Sequence, residues 1–271
     1  MTTIQKVIKY LAIALAVLLA VSIIGGIMGA FGIFGALFAN DAVTDEIKTY
    51  EISDDIRELD INVNAADLTI KTGDAFSVES NLKYLKVSDE GGRLSVKDTT
   101  KHLKNYANAT LTVTIPEDTV FEKIDITTGA CKLSADSLSA EGVKLELGAG
   151  DVTIESLVAT KYADVDGGAG RIKIGGGAIC DLDLDMGVGK LQITSALTGK
   201  CELDMGVGDA EITVSGNRDD YALSIEKGVG TITVDGKEVS VMNEKGGDCS
   251  IDIDGGVGKV KLDFAKAVEG E

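Results

Sequence analysis

The chain has very few of the residues that build stacking platforms and catalytic centres. Its 271 residues include no Trp, one His (His102), one Pro (Pro116) and only 4% aromatic residues. Sugar-binding and single-strand-binding sites usually need aromatic stacking faces, so both classes of protein are disfavoured. A Ser-His-Asp triad would need His102, but this residue stands in the polar stretch 101–104 and is expected to be exposed to solvent.

Cysteine is also scarce, and its pattern argues against a zinc site. The four cysteines, Cys131, Cys180, Cys201 and Cys249, form no Cys-x-x-Cys pair and no cluster with the single His. In the repeat described below, Cys201 stands at a position that is apolar in every copy. Cys180 and Cys249 stand two residues before the same position in their own copies, so on a strand their side chains would face the same way. We therefore predict small buried apolar fillers. Cys180 and Cys249 are expected to lie several coils apart, too far to form a disulfide.

Acidic residues are absent from residues 1–40 and abundant after them. Residues 41–271 hold all 44 Asp and Glu but only 24 Lys and Arg, which gives this part a net charge of −20. Such a surface repels nucleic acid and anionic lipid head groups, and it favours solubility or the binding of cations and basic partners. We expect no nucleic-acid ligand, and an envelope or surface ligand for which a cationic group is the best match.

The one long hydrophobic run lies at the N-terminus. Residues 10–39 contain no charged side chain, and about 20 apolar residues suffice to span a bilayer. Lys6 and Lys9 precede the run, which predicts a cytoplasmic segment 1–9, a transmembrane anchor 10–39 and an extracellular part from residue 41 onward at a bacterial cell membrane. A cleaved signal peptide is the alternative, but its apolar region would be only about 7–15 residues long.

The anchor also contains a short pattern of small residues. Gly25 and Gly29 form a GxxxG pair, which packs two membrane helices together in some proteins. Dimerisation through Gly25 and Gly29 is one interpretation, and a simply Gly-rich membrane helix is the other.

A Gly-(Ala/Val)-Gly turn recurs through the second half of the chain. Its six copies occupy residues 148–150, 168–170, 187–189, 206–208, 228–230 and 256–258, with spacings of 20, 19, 19, 22 and 28 residues. A period of about this length is typical of stacked supersecondary units rather than of a compact enzyme. Two glycines around a small residue indicate positive φ angles. Residues 64–70 resemble an earlier copy, in which Asn64 replaces the first Gly.

Apolar and polar residues alternate on both sides of each turn. With the first Gly as position 0, positions −5, −3, +4 and +6 are apolar in all six copies, which predicts two short strands with one buried face. We therefore predict an all-β fold, a right-handed parallel β-solenoid with regular coils over residues 129–264. Residues 50–128 are expected to form an antiparallel N-terminal cap with degenerate coils, because Asp89-Glu90-Gly91-Gly92 is a hairpin signal. Residues 40–49 would be a linker and 265–271 a tail.

The turn is preceded by acidic residues. Position −2 is acidic in all six copies: Glu146, Asp166, Asp185, Asp204, Glu226 and Asp254. Position −4 adds Asp164, Asp183, Glu202 and Asp252. Both positions alternate with buried ones, so these side chains should face solvent.

Two interpretations of these carboxylates remain open. Ca²⁺ takes several oxygen ligands, and the candidates for such a site are Asp164, Asp166, Asp183, Asp185, Glu202 and Asp204. Alternatively, each −2 carboxylate accepts hydrogen bonds from the Gly-x-Gly amides that follow it, and the row of charges deters edge aggregation. No known calcium-loop motif is present, which favours the structural interpretation and predicts no cofactor.

The turn pattern resembles that of a known bacterial family. Three features carry this resemblance: the Asp-Val-Thr-Ile sequence after the first turn, the lead-in from residue 111 to residue 129, and the ending over residues 256–264. They resemble the large domain-of-unknown-function family labelled "putative adhesin", which includes the LiaG-like membrane proteins. The resemblance covers about residues 50–264 and implies a β-solenoid ectodomain on the cell surface, with no catalytic residues to carry over.

The function expected from the sequence is a non-enzymatic one. The leading hypothesis is a membrane-anchored solenoid that acts as an adhesin or an envelope-stress-associated binding module. One alternative is a parallel β-helix enzyme on acidic polysaccharide, which would need cation-bridged carboxylates plus Arg or Lys on one face. Position +3 offers Arg171, Lys190 and Lys259, but not as a contiguous cluster. Another alternative is an anchor-mediated regulator of an envelope-stress signalling system.

Overall fold

The computed structural model describes residues 41–53, 55–101 and 104–265. This part of the chain is all-β, apart from two single-turn 3-10 helices at Glu90–Gly92 and Arg218–Asp220. No helix within it has the length and apolar character that a membrane crossing requires. The predicted anchor at 10–39, its Gly25 and Gly29, and His102 lie outside the described residues.

The strands follow one another along the chain with short connections. They are β1 Val43–Glu51, β2 Glu58–Gly73, β3 Ser77–Leu82, β4 Leu85–Ser88, β5 Arg93–Asp98, β6 Thr110–Pro116, β7 Phe121–Ile174, β8 Gly177–Cys180, β9 Leu182–Thr198, β10 Lys200–Ser215, β11 Tyr221–Val234, β12 Lys237–Val239, β13 Val241–Glu244 and β14 Cys249–Ala265. They belong to one sheet whose outermost strands are β1 and β12. Strand β7 is long because it passes through several coils without interruption.

Neighbouring coils pair in parallel and in register. Leu184 of β9 stands beside Leu203 of β10, and Leu203 stands beside Ile253 of β14. The apolar positions of successive coils therefore form continuous columns, which are buried in a single core that extends from the N-terminal cap to β14. Full burial of each such Leu or Ile contributes about 1.5–3 kcal/mol, and no coil could bury its columns without its neighbours.

A third strand segment completes the regular coils. Residues 157–159 of β7 pair with residues 177–179 of β8, and residues 178–180 pair with residues 196–198 of β9. Leu157, Ile179 and Leu197 are fully buried in this column. The three segments together enclose the apolar interior.

Glycine is required at the corner between the first two segments. The third residue of each Gly-x-Gly turn has a φ between +141° and +150°. At Gly208 an added Cβ would lie 1.7 Å from the carbonyl oxygen of Gly189 in the neighbouring coil. The corner therefore excludes a side chain twice, by its backbone conformation and by the close approach of the next coil.

The N-terminal end is a mixed arrangement rather than the antiparallel cap that the sequence predicted. Strands β5 and β6 pair in parallel with the two halves of β2, and so form an outermost coil. Strands β4 and β3 then pair antiparallel with β5 and β6. Residues 43–49, predicted as part of a linker, instead belong to β1, because they supply the antiparallel partner for the free edge of β3.

The C-terminal end places the last coil out of sequence order. Strand β14 lies between β10 and β11 and pairs in parallel with both, while β12 and β13 pair antiparallel with β11. This order brings the coil of Cys249 next to that of Cys201, so Cys180 and Cys249 are not as far apart as predicted. All four cysteines are free: Cys131 and Cys201 are buried as expected, and Cys180 and Cys249 are partly buried.

Candidate functional site

The two acidic positions form two parallel columns on the outer face of the strand that precedes the corner. In one column Asp166 pairs with Asp185 and Asp185 with Asp204. In the other, Asp164 pairs with Asp183 and Asp183 with Glu202. The last coil extends both columns, since Asp252 and Asp254 of β14 stand beside Glu202 and Asp204 of β10. Side chains alternate between the two faces of a strand, so the acidic positions −4 and −2 face outward while positions −5 and −3 point into the core.

An open groove follows the Gly-x-Gly corners across the stack. Its volume is about 770 Å³, and its lining extends from Thr127 and Thr128 in β7 to Asp254 and Val257 in β14. Six neighbouring coils contribute to it, so at about 4.8 Å per coil the groove is roughly 24 Å long. One side is lined by the −2 carboxylates Glu146, Asp166, Asp185, Asp204 and Asp254.

The groove has an apolar floor beside this acidic wall. Leu147, Met186 and Met205, all at position −1, line it and are buried. Methionine is flexible and polarizable, so it adapts to ligands of different shape. The sequence did not predict this apolar floor, although its three residues all stand at position −1 of the Gly-x-Gly repeat.

Lysines neutralise some residues of the acidic columns, at two places in the stack. The ammonium group of Lys144 lies 3.0 Å from a carboxylate oxygen of Glu146 and 3.7 Å from one of Asp164. Lys200 pairs with Glu202. The salt bridges among the described residues include none with Asp166, Asp185 or Asp204. The centre of the groove therefore keeps its negative charge.

The structural interpretation of the −2 carboxylates required hydrogen bonds from the following turn. Among the described residues, no Gly-x-Gly amide donates a hydrogen bond to Asp166, Asp185 or Asp204. Backbone amides donate to other carboxylates instead; the amide of Lys259, for example, donates to Asp209 at 3.1 Å. The reason is geometric: the −2 side chains point away from the strand, toward solvent. These three carboxylates are therefore available to a ligand.

Mutual repulsion and partial burial perturb the acidic columns. Neighbouring carboxylates in register stand about 4.8 Å apart, which costs up to roughly 1 kcal/mol per pair in a water-like dielectric. Desolvation, followed by the charges of Asp185 and Asp254, raises the pKa of Asp204. Desolvation and then the charges of Asp185 and Glu202 raise the pKa of Asp183. A bound cation would relieve this repulsion.

The six candidate calcium ligands are brought close together but in rows. Among the described residues, no three Asp, Glu, Cys or His side chains converge closely enough to hold a metal ion. The structure arranges the candidates as two adjacent columns, Asp164, Asp183 and Glu202 in one, and Asp166, Asp185 and Asp204 in the other. Rows of this kind suit an elongated ligand better than a single small ion, whose oxygen ligands surround it.

Basic residues at position +3 do not form a continuous column. Arg171 stands directly beside Lys190, but Asp209 separates Lys190 from Lys259. Arg171 is also partnered by Asp151 at 3.4 Å. The face that a polyanion-degrading enzyme would need is therefore interrupted, as the sequence indicated.

Several solved structures are similar to this chain over most of its length. A "putative cell adhesion protein" from Clostridium sporogenes is 14% identical, with 82% of this chain and 100% of that chain covered and a TM-score of 0.35. A "putative adhesin" from Bacteroides fragilis is 11% identical, with 81% and 98% covered and a TM-score of 0.42. A "putative lipid binding protein" from Parabacteroides distasonis is 14% identical, with 81% and 96% covered and a TM-score of 0.39.

A comparison with curated proteins gives no significant match. The profile of one protein family, described as Toastrack DUF4097, matches residues 56–261. This segment includes the N-terminal coils, all six Gly-x-Gly turns and all of the groove lining. The chain therefore belongs to the Toastrack DUF4097 family, which confirms the domain-of-unknown-function family that its turn pattern resembles.

Proposed function

We propose that this protein is a non-enzymatic binding module of a bacterial cell envelope. In this proposal residues 10–39 anchor it in the cell membrane, with the N-terminus in the cytoplasm, and the right-handed solenoid displays the acidic groove outside the cell. The observation that carries the proposal is the row of unneutralised carboxylates at Asp166, Asp185 and Asp204 beside an apolar floor.

The chemistry of the groove favours an extended oligocation with apolar stems. Lysine side chains have this character, since four methylene groups carry one ammonium group. The stems would cover Met186 and Met205, while the ammonium groups would approach the carboxylates of the wall. A groove of roughly 24 Å accommodates about seven residues of extended peptide. The binding should weaken with salt, because exposed charges are screened beyond about 8 Å at physiological ionic strength.

The test is the binding of a fluorescent deca-lysine peptide to the full chain in detergent micelles, followed by anisotropy. The variant Asp166→Asn/Asp185→Asn/Asp204→Asn should bind at least about tenfold more weakly, at roughly 0.5–1 kcal/mol for each exposed charge pair lost. A matched control is Asp45→Asn/Glu46→Gln/Glu51→Gln, which removes the same charge from exposed positions of β1. An equal loss in both variants would mean that only net charge matters, and would overturn the proposal.

Calcium is the competing occupant of the same carboxylates. If Ca²⁺ binds there, calorimetric titration of the full chain will show heat that disappears in the Asp166→Asn/Asp185→Asn/Asp204→Asn variant. We expect no such heat, because a single ion needs several converging oxygen ligands and the carboxylates form rows.

We infer a non-enzymatic role because the groove lining contains no Cys, Ser, His or Lys side chain that could serve as a nucleophile. Burial raises the pKa of the Cys131 thiol and raises that of Cys201 to about 11, so both stay protonated at neutral pH. An acidic wall also repels acidic polysaccharide. A lyase assay on uronic-acid polymers, with and without calcium, should show no cleavage.

A regulatory role through the anchor is the other alternative. It would be revealed if replacing residues 10–39 by an unrelated membrane helix abolished the cellular phenotype that the unmodified chain supports.

A further inference from the structure

Three successive carboxylates of the groove, which we name the central wall, keep their negative charge: Asp166, Asp185 and Asp204. Among the described residues, the ammonium groups that pair with the acidic columns around them are those of Lys144 and Lys200, and both bind carboxylates outside the central wall. The basic side chains at position +3 do not line the groove, and Asp209 interrupts their column. A ligand that lies along the groove therefore meets net negative charge at its centre.

A hydroxyl group without a hydrogen-bond partner lies at one end of the same groove. Thr128 lines the groove directly before Gly129, and only 6% of its surface is exposed. Among the described residues its hydroxyl takes part in no hydrogen bond, yet its oxygen is not sealed inside the core. The hydroxyl therefore keeps its access to the groove. A nearly buried hydroxyl of this kind is satisfied when a ligand donates a hydrogen bond to it.

The spacing of the central wall discriminates among oligocations. Its carboxylates repeat once per coil, about every 4.8 Å along the groove. In an extended peptide, side chains on one face repeat about every 6.8 Å, so successive lysines drift out of step with successive carboxylates. In a staggered aliphatic chain each bond advances about 1.25 Å, so two nitrogens joined by three methylene groups lie about 5 Å apart. Three nitrogens spaced in this way stay within about 0.5 Å of three successive coils.

We propose that the groove binds a linear aliphatic polyamine whose nitrogens are separated by three methylene groups. This ligand class rests on the proposed function, because it occupies the same carboxylates. Each ammonium group lies beside one carboxylate of the central wall, and the methylene groups lie on Met186 and Met205. An unbranched chain also fits the opposite side of the groove, where corner glycines such as Gly187 and Gly206 present backbone without a side chain. A longer polyamine reaches Thr128, whose hydroxyl accepts a hydrogen bond from the terminal ammonium group.

Two triamines of equal charge test the spacing. The full chain in non-ionic micelles is titrated in a calorimeter at about pH 6 with bis(3-aminopropyl)amine or bis(4-aminobutyl)amine, whose outer nitrogens lie about 10 and 12.5 Å apart. The second triamine misses the third carboxylate by about 3 Å and loses one exposed ion pair, so it should bind about two- to fivefold more weakly. Its extra methylene groups gain little in return, because Met186 and Met205 expose only 4% and 8% of their surface.

The preference for the shorter triamine should require the central wall. In Asp166→Asn/Asp185→Asn/Asp204→Asn both triamines should bind weakly and to the same extent, whereas the charge-matched control in β1 should keep the preference. Two results with the unmodified chain would overturn the polyamine proposal: no measurable heat with either triamine, or binding of bis(4-aminobutyl)amine that is as tight or tighter. The proposed function survives such a result if deca-lysine still depends on the three carboxylates, and it fails separately if deca-lysine does not.

Methionine methyl groups report where the polyamine lies. In the full chain labelled with ¹³C at the methionine methyl groups, bis(3-aminopropyl)amine should shift the NMR signals of Met186 and Met205. The signal of Met242 provides the internal control, because this residue lies in β13 and does not line the groove. Equal shifts of all three signals, or no shift at Met186 and Met205, would contradict binding along the floor.

The hydroxyl of Thr128 gives a second, length-dependent measurement. A pentaamine with four trimethylene segments spans about 20 Å and extends from Asp204 to Thr128, four coils away. The substitution Thr128→Val keeps the shape of the side chain and should weaken pentaamine binding about two- to tenfold, since one hydrogen bond to a charged group is lost. The triamine, which does not reach Thr128, should bind both proteins equally. Equal affinity of the pentaamine for both proteins would refute this placement.

Discussion

The substitution Gly208→Ala tests whether the corner glycines determine the stack. Gly208 has a φ of +145°, a conformation that costs a residue with a side chain about 1–3 kcal/mol. Its new Cβ would also lie 1.7 Å from the carbonyl oxygen of Gly189, whereas ordinary contacts begin at 3.4 Å. The two coils must separate locally and lose hydrogen bonds worth about 0.5–1.5 kcal/mol each. We expect a total loss of about 3–5 kcal/mol in the free energy of unfolding.

The matched control is Gly236→Ala, in the turn between β11 and β12. Gly236 also has a positive φ, +72°, but nothing lies within 4 Å of its added Cβ. Its cost should be limited to about 1–2 kcal/mol of backbone strain. Both variants can be compared by urea unfolding of the full chain in detergent, followed by far-UV circular dichroism. If the two losses agree within about 0.5 kcal/mol, the close approach of coils contributes nothing and the explanation of the turn motif is wrong.

Three further predictions concern charges and thiols. Asp204→Asn should stabilise the fold by at most about 0.5 kcal/mol at pH 7, because the pKa of Asp204 is raised in the folded state but solvent screens this exposed carboxylate. The gain should disappear in melting curves as the pH falls below 3.8, where protonation already removes the repulsion. Arg218→Ala should cost about 1–2 kcal/mol in urea titrations, since Arg218 pairs with Asp235 and Glu244 and covers the ring of Phe264. Arg171→Ala, which removes one exposed pair, should cost less than about 0.5 kcal/mol, and equal losses would refute a stabilising role for the contacts of Arg218. Iodoacetamide should label Cys180 and Cys249 of the native chain before Cys201, whose pKa is about 11, and mass spectrometry would reveal uniform labelling if this is wrong.

Much of the regular part of the fold follows from the sequence. Alternation around the turn predicted which residues are buried, because strand geometry places every second side chain on the same face. Val165, Leu184 and Leu203 are all fully buried, as their column position required. The acidic columns were likewise predicted to face solvent, and Asp185 and Asp204 are exposed.

The order of the coils could not be obtained in the same way. Each coil presents the same apolar columns and the same glycine corner, so β11 or β14 would fit equally well beside β10. Only the long spacing before the last turn indicated an insertion, and residues 237–244 form the two short strands that cover β11. The position of Cys249 beside the coil of Cys201 was missed for this reason.

The groove was only half visible in the sequence. Its acidic wall was evident because position −2 is invariant in charge among the six copies. Its floor was hidden because position −1 varies: Leu147, Gly167, Met186 and Met205 share no chemical type. They become one surface only when the coils are stacked in register.

The insertion of β14 has a consequence for the synthesis of the chain. A ribosome completes β10 and β11 well before it reaches β14, yet the final position of β11 is defined only by pairing with β14. Until the 17 residues of β14 have been synthesised, the edge of β10 has no permanent partner. A product truncated before residue 249 therefore keeps an open strand edge, which quality-control proteases and chaperones recognise. Synthesis of β14 is thus a condition for the complete stack of strands.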